Sequence, residues 1–305
     1  MATPRWDLPL PTYERDVNTT VRIYRSAISR VILILQDLAT HGQADKTISR
    51  AQMTAVMNQL STALAEVDRE AEAFVREEVE KAFIAGQSET VLALGDAKTI
   101  AEATAKASMS ELSRNSIDAL IADTFEDLLY ANNKMKRETI KMVRNMVAES
   151  MKTSRAMNQG VNYTKKSILE RFAEEGNIAI VDRRGRNWKL EQYAEMVTRT
   201  KLHQAHTEGT RVEALERDVD LAIVSSHGAE DECRHFEGQV ISMNGNTPGF
   251  MTYDELRRSN LIFHPNCKHK VTPVRDVSLL PTAVQRKFEQ GRKEAENRLK
   301  KQKNK

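Results

Sequence analysis

The seven prolines of this chain fall into two groups: Pro4, Pro9 and Pro11, then Pro248, Pro265, Pro273 and Pro281. No proline lies between Thr12 and Thr247. Proline lacks an amide donor and clashes with the preceding helical turn, so a stretch this long without it is free to run as helix. Glycine is sparse early, at Gly42, Gly86 and Gly95, and returns often from Gly160 to Gly249. The first half is therefore expected in long helices, and the second in short elements with frequent turns.

Hydrophobic spacing divides the chain in the same way. Val21, Tyr24, Ile28, Val31, Leu35 and Leu38 step by threes and fours, as in a coiled-coil seam, and Met53, Met57, Leu60, Leu64, Val67, Ala71 and Phe74 repeat the pattern. Ile117 through Leu128 to Met146 is helical in period but less regular. His41-Gly42 and Leu94-Gly95-Asp96 read as helix ends. Residues 13–175 are thus expected as an elongated bundle of three to five helices, after an N-terminal arm over 1–12.

After Gly176 the pattern changes. Residues 177–188 predict a short strand, a tight turn at Gly185 and a second short strand. Leu190 to Glu216 predicts a helix with Leu190, Tyr193, Ala194, Val197, Ala205, Val212 and Leu215 broadly on one side. Asp220–Ser226 and Gly238–Ser242 predict strands, and Tyr253–Arg258 a short helix. The fold class is α+β: the helical bundle, a small loop-rich α+β domain over 176–280, and a basic tail over 281–305 that is helical or disordered.

Composition removes several classes. With 40% hydrophobic and 29% charged residues, the chain is too apolar for full disorder and too polar to span a membrane. Its longest greasy stretch, Val31–Leu35, is far short of the roughly 18–20 residues a crossing needs. The leading run MATPRWDLPLPTYERD lacks the apolar core of a signal peptide. Two cysteines, Cys233 and Cys267, make no disulfide framework, and a reducing compartment is expected. The net charge of +3 is uneven: residues 286–305 hold nine Lys/Arg and three Asp/Glu, a net of +6, which leaves −3 on the rest.

Chemistry concentrates in one place. Both cysteines and four of the seven histidines lie between His227 and His269. Cys233-Arg-His235 and His264-Pro-Asn-Cys267-Lys-His269 put thiol and imidazole donors on tight turns, the donor types zinc takes in tetrahedral sites. One structural zinc held by Cys233, His235, His264, Cys267 and His269 is one reading; buried cysteines with hydrogen-bonded histidines is the other. A zinc-dependent hydrolase or nuclease, with Glu230, Asp231, Glu232 or Glu237 as base, is the alternative to a non-catalytic protein. His203-Gln-Ala-His206 lacks the Glu of HExxH, and helical phase predicts that both histidines are solvated or at an interface. No GxSxG, phosphate-binding loop or dinucleotide fingerprint is present.

Basic residues suggest nucleic acid in two places. Arg183, Arg184 and Arg186 sit at the expected hairpin tip. The tail offers Arg286, Lys287, Arg292, Lys293, Arg298, Lys300, Lys301, Lys303 and Lys305 for nonspecific phosphate contact.

The second half also resembles the phage minor capsid proteins of the Mu F-like head morphogenesis group, most closely the minor capsid protein 2 type. Residues 182–200, DRRGRNWKLEQYAEMVTRT, resemble that group's D..GR.W.LE.YAEMV.RT. CRHFEGQVIS, from Cys233 to Ser242, is similar to C..WQGKVYS, and HPNCKH, from His264 to His269, to HPNCRH. Relatives often carry CxxC where this chain has only the second cysteine: Glu230 holds the first position and Phe236 replaces the usual tryptophan. A site of two cysteine pairs is therefore absent, and His235, His227 or an acidic residue would have to complete one, unless hydrogen bonds alone hold the loops. The resemblance implies a non-enzymatic, low-copy component of tailed-phage heads. Its implied partners are the portal protein, the major capsid protein or scaffold, and packaged DNA, with no membrane. It implies a place at the portal vertex or head interior, after assembly in the host cytoplasm. Asp182, Gly185, Trp188 and the His264–His269 turn would be folding determinants.

Overall fold

A computed structural model describes residues 5–41, 50–156, 179–181 and 186–303. Four helices come first: α1 (Glu14–His41), α2 (Arg50–Ala93), α3 (Ile100–Lys106) and α4 (Glu111–Ala156). The strands β1 (Ala179–Val181) and β2 (Asn187–Lys189) follow, then α5 (Leu190–Glu216), β3 (Leu221–Val224), β4 (Val240–Ser242), α6 (Tyr253–Ser259), β5 (Val271–Pro273) and α7 (Thr282–Lys303). The architecture is α+β. The chain forms two compact units that cut across sequence order: residues 1–13, 76–122 and 199–305 make one, and 14–75 with 123–198 make the other. The divisions fall inside α2, α4 and α5, so they differ from a division at residue 175.

In the second unit, α1 buries Val17, Thr20, Tyr24, Ala27, Val31 and Leu35, and α2 buries Val56, Leu60, Leu64, Val67, Ala71 and Val75. Each set lies on one helical stripe. Arg30 of α1 bridges to Glu66 at 3.2 Å and Glu70 at 2.7 Å; half-exposed pairs of this kind contribute about 0–1 kcal/mol, so the apolar stripes dominate. The anticipated hairpin is present, with Ile180 opposite Trp188 and Val181 opposite Asn187. Its tip, including Asp182, Arg183, Arg184 and Gly185, lies outside the described residues, as does Gly42.

The first unit is organised by a helix crossing and a sheet. Where α2 meets α5, a Cβ on Gly86 would stand 1.9 Å from the His206 carbonyl oxygen, and one on Gly209 would stand 2.0 Å from that of Phe83. Backbone touches backbone at both glycines. The Thr210 hydroxyl seals the crossing by donating to the Gly86 and His206 carbonyls at 3.3 and 3.1 Å. Past the crossing α2 stops where the sequence signals it: Gly95 turns at φ +77°, and the amides of Gly95 and Asp96 reach back to the carbonyls of Leu92 and Val91 at 3.1 Å each.

The antiparallel sheet has β3 in the middle, in the order β4-β3-β5. Ala222 faces Ile241 on one side and Pro273 on the other. Alternation along β3 sends Ala222 and Val224 into a core with Cys233, Phe236, Ile241, Leu256, Ile262, Cys267 and Val271. Ile223 points into the opposite layer with Val240, Val274, Leu280 and Phe288, against which Trp6 packs. Helix α7 serves both layers, Phe288 in one and Ala295 with Leu299 in the other. The expected basic tail is thus a packed helix over its described length.

Asp220 anchors the β3–β4 pairing. Its carboxylate accepts from the Ser242 hydroxyl at 2.5 Å and the Asn244 amide at 2.8 Å. Burial works against its charge, yet Ser242, Thr247 and Asn244 hold it below the ordinary 3.8.

Gly86→Ala and Gly209→Ala should each destabilise the protein by about 1–3 kcal/mol through overpacking, although alanine is the better helix former by about 1 kcal/mol. Thermal unfolding of purified variants reads the sign directly. Because Asp220 is more acidic folded than unfolded, its contribution is complete above pH about 4 and is lost as pH falls through the folded value. Asp220→Asn should therefore be less stable than wild type at neutral pH, with the gap narrowing in acid, as urea titrations at several pH values would measure.

Candidate metal centre

The two halves of the Cys/His cluster are brought together by strand register. Val224, the last residue of β3, pairs with Val271, the first of β5, and the Ser225 amide continues the ladder to the Lys270 carbonyl at 3.0 Å. The loop leaving β3 and the turn entering β5 consequently emerge side by side. No short sequence spacing encodes this.

Each half is fixed locally. Residues 232–235 form a 3-10 turn begun by Asp231, whose Oδ1 accepts from the Cys233 amide at 3.0 Å. Glu237 Oε1 gathers the loop by accepting from the amides of His227 and Ala229 at 2.9 and 3.0 Å. In the other half, the Cys267 amide closes onto the His264 carbonyl at 2.9 Å, with Phe263 and Asn266 at φ +57° and +64°. The Asn266 amide fastens this turn to α5 by donating to Thr200 Oγ1 at 3.1 Å.

The donors then converge. Cys233 and Cys267 are both buried and free, with Sγ atoms 3.8 Å apart. His269 Nδ1 lies 3.3 Å from Cys267 Sγ, and its Nε2 lies 3.2 Å from Glu237 Oε1. His264 Nε2 lies 3.1 Å from Cys233 Sγ and 3.2 Å from Asp231 Oδ2. The His227 and His269 rings lie 4.2 Å apart. Three donor groups of the right type and proximity for an ion arise among the described residues: Cys233/Cys267/His269, all buried; His227/Glu237/His269; and Asp231/Cys233/His264. His235 belongs to none of them, because its Nδ1 turns to Glu294 of α7 at 3.0 Å. Glu230, at the first position of the relatives' CxxC, is likewise outside these groups.

The electrostatics sort the two sulfurs. The Cys233 thiol and the adjacent His269 outweigh burial and pull Cys267 down to about 4. The Cys267 sulfur, then burial, push Cys233 up. Burial opposes the charges of Glu237 and His269, but Glu237 stays below the carboxylate range through its two amide donors and His269, and His269 is raised by Cys267 and Glu237.

A second buried polar group was not legible in the sequence. Lys270 donates to Glu89 at 2.6 Å and to the Pro9 carbonyl at 2.7 Å. His206 stands 3.3 Å from the same Glu89 carboxylate and 3.0 Å from the Tyr13 hydroxyl. Burial again opposes the charge, and His206 and Lys270 together lower the Glu89 pKa. This corrects the reading of His206 as solvated or at an interface: α5 has neighbours on more than its apolar side, and His206 is 1% exposed. His203 meets the Tyr13 ring edge-on at 5.3 Å.

The basic residues of α7 divide into two sets. Arg292 pairs with Glu296, Arg298 with Glu232 and Glu294, and Lys303 with Glu255; Lys287 donates to the Ser226 hydroxyl at 3.3 Å. Arg286, Lys293, Lys300 and Lys301 are exposed, and the first three recur every seventh residue along one stripe. Lys305 lies outside the described residues. Arg186 is exposed at the start of β2.

No curated protein and no solved structure matches the chain. The profile of the family described as Phage minor capsid protein 2 matches residues 12–304, which extends the likeness from residues 182–273 to the long helices and α7. The motifs around the cluster and this end-to-end match agree, and the chain belongs to the phage minor capsid protein 2 family.

Proposed function

We propose that this protein is a low-copy structural component of a tailed-phage head that docks at the portal or inner shell and assists assembly, DNA packaging or genome delivery. The observation that carries this reading is the family match over 12–304. It gives a structural phage role, and the finer assignment to the portal vertex is our inference. Two features support it. The stripe Arg286, Lys293 and Lys300 is an exposed positive edge whose members are spaced about 10 Å apart along the helix axis, suited to the backbone of packaged DNA. The helices α1, α2 and α4 offer long surfaces for portal, scaffold or major capsid protein. No described helix is long and apolar enough to cross a membrane.

The rival expectation, a zinc-dependent hydrolase or nuclease, gains nothing from the cluster. The family that the chain belongs to is a structural one, and the buried Cys233/Cys267/His269 group suits a structural role. We therefore read the protein as non-enzymatic, present in the virion and in the host cytoplasm during assembly.

Quantitative mass spectrometry of purified particles, normalised to the portal protein, is expected to find a copy number comparable to or below the portal's. Absence from both proheads and mature heads would sink the reading. For the DNA contact, Arg286→Gln, Lys293→Gln and Lys300→Gln combined should weaken binding to duplex DNA of any sequence. For every phosphate that the variant no longer neutralises, the slope of log K against log salt should become shallower by about 0.9. An unchanged slope would remove the stripe as a DNA-binding edge.

A further inference from the structure

We propose that Cys233, Cys267 and His269 hold a structural zinc ion that clips the β3–β4 loop to the turn preceding β5, and that His264, grouped here with Cys233 and Asp231, turns onto the ion as the fourth ligand when it binds. The site stands independently of the capsid role, since it rests on the buried donor group Cys233, Cys267 and His269.

Zinc–sulfur bonds of about 2.3 Å at a tetrahedral angle place two sulfurs about 3.8 Å apart, and Cys233 and Cys267 stand at 3.8 Å. A disulfide requires about 2.05 Å, so the spacing suits two ligands of one ion and not a bond between them. With zinc–nitrogen at about 2.05 Å, sulfur and nitrogen ligands lie about 3.5 Å apart. His269 Nδ1 is 3.3 Å from Cys267 Sγ, and His264 Nε2 is 3.1 Å from Cys233 Sγ.

The tautomers agree with ligation. The Glu237 carboxylate faces His269 Nε2 at 3.2 Å and fixes the ring proton there, which leaves the Nδ1 lone pair directed at the sulfurs. This is the carboxylate–histidine–metal arrangement that orients ligands in zinc sites, and Glu237 is itself immobilised by two backbone amides. The Pro265 carbonyl faces His264 Nδ1 at 2.9 Å and takes the proton of that ring. Nε2 is then an acceptor, facing the Cys233 thiol at 3.1 Å and the Asp231 carboxylate at 3.2 Å. A zinc ion bound there would take the place of the thiol proton between Cys233 and His264. Two sulfurs and two nitrogens suit zinc and not magnesium or calcium, which take oxygen. Four protein ligands leave no open position, so the ion is structural. Asp231 is the competing outer donor, but its other oxygen already caps the Cys233 turn.

The test uses the full chain, produced with zinc in the medium and purified without chelator, and counts metal by elemental analysis. About one equivalent of zinc per chain is expected, and a cobalt-substituted sample should show the ligand-field spectrum of a tetrahedral thiolate–imidazole site. Cys267→Ser and His264→Ala should lose stoichiometric metal, Glu237→Gln should bind zinc roughly 10–100-fold more weakly, and His235→Ala should keep it. Wild-type protein with far less than one equivalent overturns the proposal, as does a Cys233–Cys267 disulfide found by intact mass, or full metal retained by the double cysteine variant. Retention by His264→Ala with loss in Asp231→Asn overturns the assignment of His264. Should the variants not fold, zinc added back to chelator-stripped wild-type protein decides the matter. A raised unfolding temperature supports the site, and an unchanged one overturns it.

Discussion

Among the described residues, the closest constraint is the meeting of two backbones at Gly86 and Gly209. Side chains normally hold helices 8–10 Å apart; here carbonyls sit where Cβ atoms would be, and no other residue type fits. Glycine inside a helix is costly by itself, so its presence in both partners is explained by what the close crossing allows. It presses the last turns of α2 against α5, which puts Glu89 within reach of His206 and Lys270 and sets Gln87 3.3 Å from the Glu213 carboxylate. The buried charge of Lys270 is tolerable because its ammonium has both a carboxylate and the Pro9 carbonyl. The N-terminal arm is thereby fastened to the start of β5.

The sheet performs the second act of placement. Only three residues long on each side, β4 and β5 contribute little as isolated strands, yet their pairing with β3 determines which loops are neighbours. The chemistry of the cluster follows from that: donors separated by about thirty positions meet because the segment between them runs along β4, carries α6 and crosses over to β5 on the other side of β3. Helix α6 is stopped at both ends, by a reciprocal Thr252/Glu255 capping box and by Asn260 in the left-handed region, so the excursion has a fixed length.

Much of this was legible in the residues, for reasons that also explain the failures. Leu190–Glu216 announced its helix because no breaker interrupts it, and Leu94-Gly95-Asp96 announced the end of α2. The heptads were right in their interiors, at Leu60, Leu64, Val67 and Ala71, and slipped at the ends, where Val56 and Val75 are buried in place of Met57 and Phe74. A straight helix drifts by about 20° per heptad, so a strict seven-residue template leaves the true stripe after a few turns. Strand β5 was missed because it contains Pro273, which an edge strand tolerates. The cluster was visible as composition, and its donor assignment was not: nothing in Cys-Arg-His predicts that Cys233 turns inward while His235 turns to Glu294, which is a matter of the 3-10 turn and of α7 lying alongside. The compact units were hidden because α2, α4 and α5 each continue from one into the other, and helical periodicity carries no mark at such a boundary.

Trp6 packs against the layer containing Phe288, and Leu94 shares a core with Ala295 and Leu299, so this unit closes around residues from nearly opposite ends of the chain. At roughly 5–20 residues per second of synthesis, the partners of Trp6 emerge some 15–60 s after it. During that interval Leu8 can already pack with Val91, Leu92, Ala93 and Ala103, while Trp6 and Leu94 wait for their α7 partners. The unit therefore cannot close until α7 has been made, however early its first helices form.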